Sequence, residues 1–487
     1  MLRKIRIVLA CIIFAAITLL FLDFTGVLHQ YLGWLAKVQL LPAVLALNFG
    51  VVAALLLVTL LIGRVYCSVV CPLGVMQDCF SWLGGKAKKN RFHYAKGHPV
   101  LRVICLAVFV LLMVFGLNSI AILVAPYSAY GRIASNLFQP VYMWLNNLCA
   151  YFAERVGSYA FYSVDVWVKS GVVFAIAAAT FVVIGFLSFK WGRLWCNTIC
   201  PVGTMLGFFS RFAIFKPVIN TDKCNGCKRC ARNCKAMCIN PETHEIDYSR
   251  CVACMDCLNN CKQGAITLSR KCKSATEEGD GVDASRRKFV VTTAAVSAAL
   301  AVEAQEKKVD GGLAVLVDKQ LPERQVPLKP FGSKGLKHFA SHCTGCQLCV
   351  SNCPEQVLRP SSSMASLMQP EMAYDKGFCR PDCTRCSEIC PAGAIVKIDV
   401  AEKSAISIGH AVTVQHNCLL QQGVECNACS RHCPAAAISV VDDMSTGHRV
   451  VIVNESRCIG CGACEYYCPV RPFSAIYVEG REVHTNV

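Results

Sequence analysis

Up to residue 217 the chain alternates long apolar runs with short polar connections; beyond it, apolar positions come in brief bursts between cysteines and charged residues. The long runs lie at 5–23, 39–61, 100–124 and 171–189. Each is close to or above the ~20 residues that a helix needs to cross ~30 Å of hydrocarbon, so the pattern predicts four membrane-spanning helices. Arg3, Lys4 and Arg6 precede the first run, and Arg64, Lys86, Lys88, Lys89, Arg91 and Lys96 follow the second, which puts both on the cytoplasmic side. Residues 126–170 hold only Arg132, Arg155 and Lys169 as basic residues and are rich in Tyr and Trp, as an outer interfacial loop would be. In the second half, 393–400, 436–443, 448–454 and 474–479 cluster or alternate β-branched residues and are predicted to be short strands.

The helical half is duplicated. "GRVYCSVVCPLGVMQDCFS" from Gly63 aligns without gaps to "GRLWCNTICPVGTMLGFFS" from Gly192. Each copy ends an inward-running span, so Cys67, Cys71, Cys196 and Cys200 are expected at one depth, at the cytoplasmic edge. These are the candidate redox thiols. Two functional readings stand open: a further metal or cluster site, or a dithiol that hands on electrons. The third is small buried packing residues at a helix end.

Cysteine is the dominant chemistry, with 34 in 487 residues. Two quartets, Cys224, Cys227, Cys230, Cys234 and Cys251, Cys254, Cys257, Cys261, have the bacterial ferredoxin spacing. Three cysteines at intervals of three let one loop wrap an iron cube, while the fourth ligates the neighbouring cube. By that rule Cys261 joins the first three, and Cys234 joins Cys251, Cys254 and Cys257. Four more quartets, each followed by proline, are Cys343, Cys346, Cys349, Cys353; Cys379, Cys383, Cys386, Cys390; Cys418, Cys426, Cys429, Cys433; and Cys458, Cys461, Cys464, Cys468. These 24 thiols predict six [4Fe-4S] clusters, and spacing leaves open which C-terminal quartets exchange their last cysteine. A zinc reading would need isolated CxxC pairs. Cys11, Cys79, Cys105, Cys149, Cys238 and Cys272 carry no motif and read as packing residues.

Composition agrees: hydrophobic residues reach 54%, charged residues 17%, and mean hydropathy is +0.43. The formal charge of +17 counts thiols as neutral. With about −2 on each four-thiolate cluster, about +5 remains, and much of it lies beside apolar runs. Nucleic acid is therefore excluded as a partner class.

The organisation expected is an all-α four-helix transmembrane domain (1–217), a two-cluster ferredoxin domain (218–272), a linker (273–335) and a four-cluster polyferredoxin domain (336–487), both iron–sulfur domains being α+β. Within the linker, "SRRKFVVTTAAVSAALA" at 285–301 has the form of a twin-arginine export signal. Its apolar part, 289–302, would span only ~21 Å as a helix.

Residues 1 to about 270, with two CxxxCP motifs and a two-cluster ferredoxin, resemble the NapH family of membrane quinol dehydrogenase subunits. From about 285, with Arg286, Arg287 and the four proline-closed quartets, the chain resembles the NapG polyferredoxins. The resemblance implies a NapH–NapG fusion in the bacterial inner membrane, multi-pass, with the first ferredoxin cytoplasmic and the polyferredoxin periplasmic. It also gives the signal a purpose, since assembled clusters must be exported already folded. The implied function is electron transfer from membrane quinol to a periplasmic redox partner, as in a nitrate reductase system. The chain would then be the electron-transfer subunit of a quinol dehydrogenase, with membrane lipid and the quinone pool as its other partners. Asp23, His29, Glu154 and Asp165, on the expected outer side, are candidate proton acceptors. A second reading is an accessory factor that reduces or matures a partner metalloenzyme; a third is a wholly cytoplasmic, membrane-anchored polyferredoxin.

Overall fold

The computed structural model describes residues 2–87, 92–158, 160–270, 317–442 and 449–487. The export-like segment at 285–301 lies outside the described residues, as do Cys272 and most of the linker.

The first apolar run forms helix α1 (Leu2–Leu22) and the last forms α7 (Gly171–Trp191). These two are long and apolar enough to cross a membrane. The middle two runs differ from expectation because each is interrupted. Residues 39–61 break after a short helix, Leu40–Leu45, where Leu47 takes a left-handed φ of 52°. Asn48 then caps the new helix α2 (Phe49–Ile62), its side chain accepting from the Val51 N–H. Residues 100–124 form α4 (Pro99–Val114), which stops at Gly116 with φ 76° and restarts as the single turn Asn118–Ala121. Between α2 and α4 lies α3 (Pro72–Ala87).

The stretch expected to be an outer loop is instead helical. It forms α5 (Pro126–Ile133), a π-helical turn (Ala134–Phe138) and α6 (Gln139–Arg155). Every residue of α5 is buried, packed between α1, α3 and α7. Its tyrosines face protein rather than an interface: Tyr130 shares a 2.5 Å hydrogen bond with Thr18 of α1, and its ring meets Phe14 edge-on at 5.5 Å. Arg132, wholly buried, donates to the carbonyls of Ile122 and Leu123 at 3.0 Å and so satisfies a helix end that would otherwise be orphaned. Helix α8 (Pro201–Ser210) repeats α3 in the second copy.

Strands β1 (Phe215–Ile219) and β2 (Ile266–Arg270) pair antiparallel and frame the first cysteine-rich unit. In the C-terminal unit β3 (Ile406–Thr413) pairs with β6 (Ile476–Asn486), and β4 (Ile438–Asp442) with β5 (Arg449–Val453), all antiparallel. Three of the four expected strands are present. The fourth, 393–400, is absent because its polar groups are used otherwise. The Val396 N–H donates to the Gly332 carbonyl, and Asp399 forms a capping box with Glu402 that starts a helical turn.

The two cysteine-rich units sit at opposite ends of α1. At its first turn Arg3 pairs with Asp256 of the first unit at 2.8 Å. At its last, the Leu20 carbonyl accepts from Asn352 of the C-terminal unit at 3.2 Å.

Candidate iron–sulfur centres and the ends they dock on

The loop that carries CxxCxxC folds the same way four times. The residue after the second cysteine is left-handed at Lys228, Met255, Gln347 and Gly462, with φ between 54° and 80°. That reversal turns the third cysteine back toward the first two. At the two loops with widened gaps the corresponding residues, Thr384 and Asn427, have negative φ.

Cys224, Cys227, Cys230 and Cys261 line one cavity, and Cys234, Cys251, Cys254 and Cys257 another, which is the exchange the spacing predicts. The C-terminal unit exchanges in two separate pairs. Cys433 lines a cavity with Cys458, Cys461 and Cys464, while Cys468 lines one with Cys418, Cys426 and Cys429. Cys390 lies within electrostatic range of Cys343, Cys346 and Cys349, and Cys353 within range of Cys379, Cys383 and Cys386. The Cys379 N–H donates to the Cys461 carbonyl at 2.9 Å, which puts the two pairs side by side. All-thiol donor sets around closed cavities fit iron cubes. Among the described residues no group of three or more His, Cys, Asp or Glu is gathered for a single metal ion.

Sequence reading missed two features. Cys238, taken for packing, lines the cavity of Cys234 and Cys251, with its sulfur 3.6 Å from that of Cys234. Lysines, Lys403 buried and Lys319 half-buried, also stand against the cysteines. Lys403 donates to the Cys379 sulfur at 3.2 Å and to the Cys383 carbonyl, and Lys319 donates to the Cys468 carbonyl at 3.1 Å. A cation there offsets the negative charge a thiolate-ligated centre carries. Spacing gives no signal for them, because they come from distant segments.

The end that holds the first unit is built from charge. Asp78 of α3 receives Arg193 at 2.8 Å, Lys235 at 3.0 Å and Arg6 at 3.1 Å, and Lys235 also reaches Asp256 at 3.2 Å. Burial alone would raise the Asp78 carboxyl, but Arg193, Lys235 and Arg6 reverse this and hold it well below the usual carboxylate range. Asp256 behaves alike: burial raises it, and Lys235 with Arg3 and Arg6 brings it below its ordinary value. Beside this brace a cavity of about 1220 Å³ opens, lined by Ile7, Ala10, Val75 and Trp82, by the basic Arg6, Lys86, Arg229 and Arg232 and by the acidic Asp78 and Asp256, with Cys227 in its wall.

The opposite end is held mainly by neutral groups. Asn136 donates to Gln347 and Gln139 to the Ser351 carbonyl, both at 2.7 Å. Asn118 donates to the Ala340 carbonyl and Ser119 to that of Ala365. Charge enters as cations without a carboxylate across the contact: Lys169 donates to the Val350 carbonyl, Arg385 donates to the Phe24 carbonyl at 3.4 Å, and Arg359 lies over the Trp167 ring.

The expected proton acceptors do not form a site. Asp23 is buried as a turn brace, accepting from the N–H groups of Thr25, Gly26 and Leu28. Burial lowers His29, which lies on the short helix Val27–Leu32, and Glu154 and Asp165 are exposed.

A family model described as a 4Fe-4S dicluster domain matches residues 342–418 and 424–471, and one described as a 4Fe-4S binding domain matches 44–91 and 171–220. The chain is 32% identical to the methylamine utilization ferredoxin-type protein MauM of Methylobacillus flagellatus over 36% of its own length and 77% of that protein. It is also 32% identical to the ferredoxin-type protein NapG of Escherichia coli over 38% of its own length and 80% of that protein. The chain belongs to the MauM/NapG family of ferredoxin-type proteins. As in that family, it is an iron–sulfur electron-transfer protein. An uncharacterized protein of Methanocaldococcus jannaschii is 32% identical over 20% of this chain, which spans 39% of that relative. No solved structure matches.

Proposed function

We propose that this MauM/NapG-type chain is a fused NapH–NapG-like quinol dehydrogenase subunit that carries electrons across a membrane on six [4Fe-4S] clusters held by the 24 motif cysteines. The observation that carries it is the placement of the two cysteine-rich units at opposite ends of the apolar helix α1. The outward faces of the helices support a lipid setting. Ile12, Val103, Val108, Val182 and Phe186 are all exposed, an apolar surface that water would penalise and lipid would not. On that reading α2 and α4, though short and interrupted, complete a four-helix membrane domain. The first unit then faces the cytoplasm. The C-terminal unit lies outside, which gives the Arg286–Arg287 signal its purpose.

The cavity at the cytoplasmic end is where a quinol fits. Its apolar residues suit the ring, and its basic residues, which outnumber Asp78 and Asp256, favour loss of the hydroxyl protons by stabilising the anion. A quinol there becomes a quinone, releasing two protons and passing two electrons, one at a time, to the neighbouring Cys224, Cys227, Cys230, Cys261 centre. The electrons leave at the far end to an exported redox partner.

Anaerobically purified full-length protein tests this. Bleaching of the iron–sulfur absorbance by a reduced quinol analogue is expected, with slower bleaching in Trp82→Ala. Clusters that dithionite reduces but quinol leaves oxidised would sink the reading and favour an accessory role in maturing a partner enzyme.

A further inference from the structure

Two groups of clusters at opposite ends of a membrane helix need something between them, and the described structure holds one candidate. Cys67, Cys71, Cys196 and Cys200 are all buried, at 3–4% exposure. Each lies within electrostatic range of the other three. Each CxxxCP motif supplies two thiols, so the four meet only because the copies interlock.

The interlock is reciprocal. Arg64 of the first copy donates to the Cys196 carbonyl of the second at 3.2 Å, and Arg193 of the second donates to the Cys67 carbonyl of the first at 2.7 Å. Both arginines are wholly buried. The glycine of each CPxG turn makes room for this. A Cβ on Gly74 would stand 2.2 Å from the Cys67 carbonyl, and one on Gly203 would stand 2.3 Å from that of Cys196. Positive charge from Arg64 also reaches the sulfurs directly, its Nη2 lying 3.8 Å from the Cys67 Sγ. The amide nitrogen of Gln77, wholly buried, has no hydrogen-bond partner, although its oxygen is 3.4 Å from the Cys196 sulfur. A buried group left open at a thiol cluster marks a place for a further acceptor.

Neighbouring residues link the quartet to both cysteine-rich units. Toward one end, Arg64 donates to the Ser249 carbonyl, two residues from Cys251, and Asn197 donates to the Ala236 carbonyl, two residues from Cys234. Toward the other, Tyr66 lies beside Cys67, and Tyr127 of α5 is buried with its hydroxyl unpartnered. Gly131, one helical turn on, is packed so closely on the Cys346 carbonyl that a Cβ would stand 2.2 Å from it. These residues belong to one continuous buried core.

We infer that Cys67, Cys71, Cys196 and Cys200 jointly ligate a single iron–sulfur cluster at the junction of the two repeats, and that this cluster is the electron bridge between the cytoplasmic and exported groups. Thiol-only donors select iron–sulfur clusters or zinc, and the other six thiol quartets of this chain carry iron–sulfur spacing. One electron leaves the Cys234, Cys251, Cys254, Cys257 centre as the bridge is reduced. It then leaves the bridge as the Cys343, Cys346, Cys349, Cys390 centre is reduced, with no bond made or broken. Arg64 and Arg193 position the ligands and stabilise the thiolates.

The bridging role rests on the proposed direction of electron flow; the cluster itself does not. Iron, acid-labile sulfide and zinc are therefore measured in full-length wild type, Cys71→Ser and Cys200→Ser, and the reduced proteins are compared by electron paramagnetic resonance. Either variant is expected to lose the iron and sulfide of one cluster while the remaining signals persist. The double variant should lose no more than either alone. With reductant supplied only at the first unit, the C-terminal clusters should stay oxidised in the variants and become reduced in wild type. Unchanged iron and sulfide in both variants, or zinc in place of iron, would overturn the inference. Failure of quinol to reduce the wild type, with the iron loss intact, would count against the quinol reading alone. Arg193→Lys, which keeps the charge but not the fork, should retain most of the iron while shifting the signal of the bridge.

Discussion

The two ends of the helical domain hold iron–sulfur units by opposite means. At one end three cations converge on Asp78, and the first unit's Cys227 is exposed. At the other, amide and hydroxyl groups meet backbone carbonyls, and Cys343, Cys346, Cys349, Cys458, Cys461, Cys464 and Cys468 are buried. The first arrangement suits a unit synthesised in place beside its docking surface, since charges orient partners over a distance. The second depends on shape, because neutral hydrogen bonds form only on close, complementary contact. Buried cysteines further shield two of the C-terminal centres, those of Cys343, Cys346, Cys349 and of Cys458, Cys461, Cys464, from solvent and oxidants, whereas Cys379, Cys383, Cys386 and Cys353 are half-buried.

The sharpest way to break this comparison is to remove ligands. Cys468→Ala should abolish one cluster, and the exchange seen here says which one. Combined with Cys418→Ala, it should lose no further iron; combined with Cys458→Ala, it should lose the iron of a second cluster. The reverse pattern, read by iron content and paramagnetic resonance, would show that each loop keeps its own fourth cysteine. Next in size is Asp78→Asn, which leaves Arg193 and Lys235 buried beside a neutral partner and should cost about 3–5 kcal/mol. Its expected signature is early loss of the first unit's clusters on thermal scanning, with the C-terminal clusters unaffected. At the neutral end, Asn136→Leu orphans the Gln347 side chain and should cost about 1–3 kcal/mol, read as increased proteolysis around residues 336–360.

How legible was this from sequence alone? The six quartets and the repeat were, because a ligand loop must place three thiols within one short segment and a duplication leaves its register intact. The exchange of Cys390 with Cys353 and of Cys468 with Cys433 was not, since it depends on how loops far apart in sequence fold back. Residues 126–139 misled for a plain reason. Tyr127, Tyr130 and Arg132 have the composition of a membrane interface, yet they are buried among α1, α3 and α7, where Tyr130 meets Thr18 and Arg132 meets free carbonyls. The aligned repeat already displayed Arg64 and Arg193 at matching positions; only the fold reveals that each serves the other copy's cysteine. Lys235 follows Cys234 where each C-terminal quartet has a proline. Its position between Asp78 and Asp256 explains why a cation stands there.

The smallest effects belong to the exposed rim of the charged end. Arg3 is 42% exposed in its pair with Asp256, so solvent screens most of the attraction, and Arg3→Ala should cost under about 1 kcal/mol, less still in high salt. Acid probes the same brace more deeply. The carboxyls of Asp78 and Asp256 both titrate below their unfolded values, so the stability they contribute is fully present above about pH 4 and is lost as pH falls through their folded values. The neutral end has no carboxylate in its named contacts and should not share this loss. Acidification from neutral should therefore release the first unit from the helical domain before the C-terminal unit, an order that hydrogen exchange at Ser249 and Gln347 would record. Release in the opposite order would mean that Asp78 and Asp256 are bystanders and that packing alone holds the first unit.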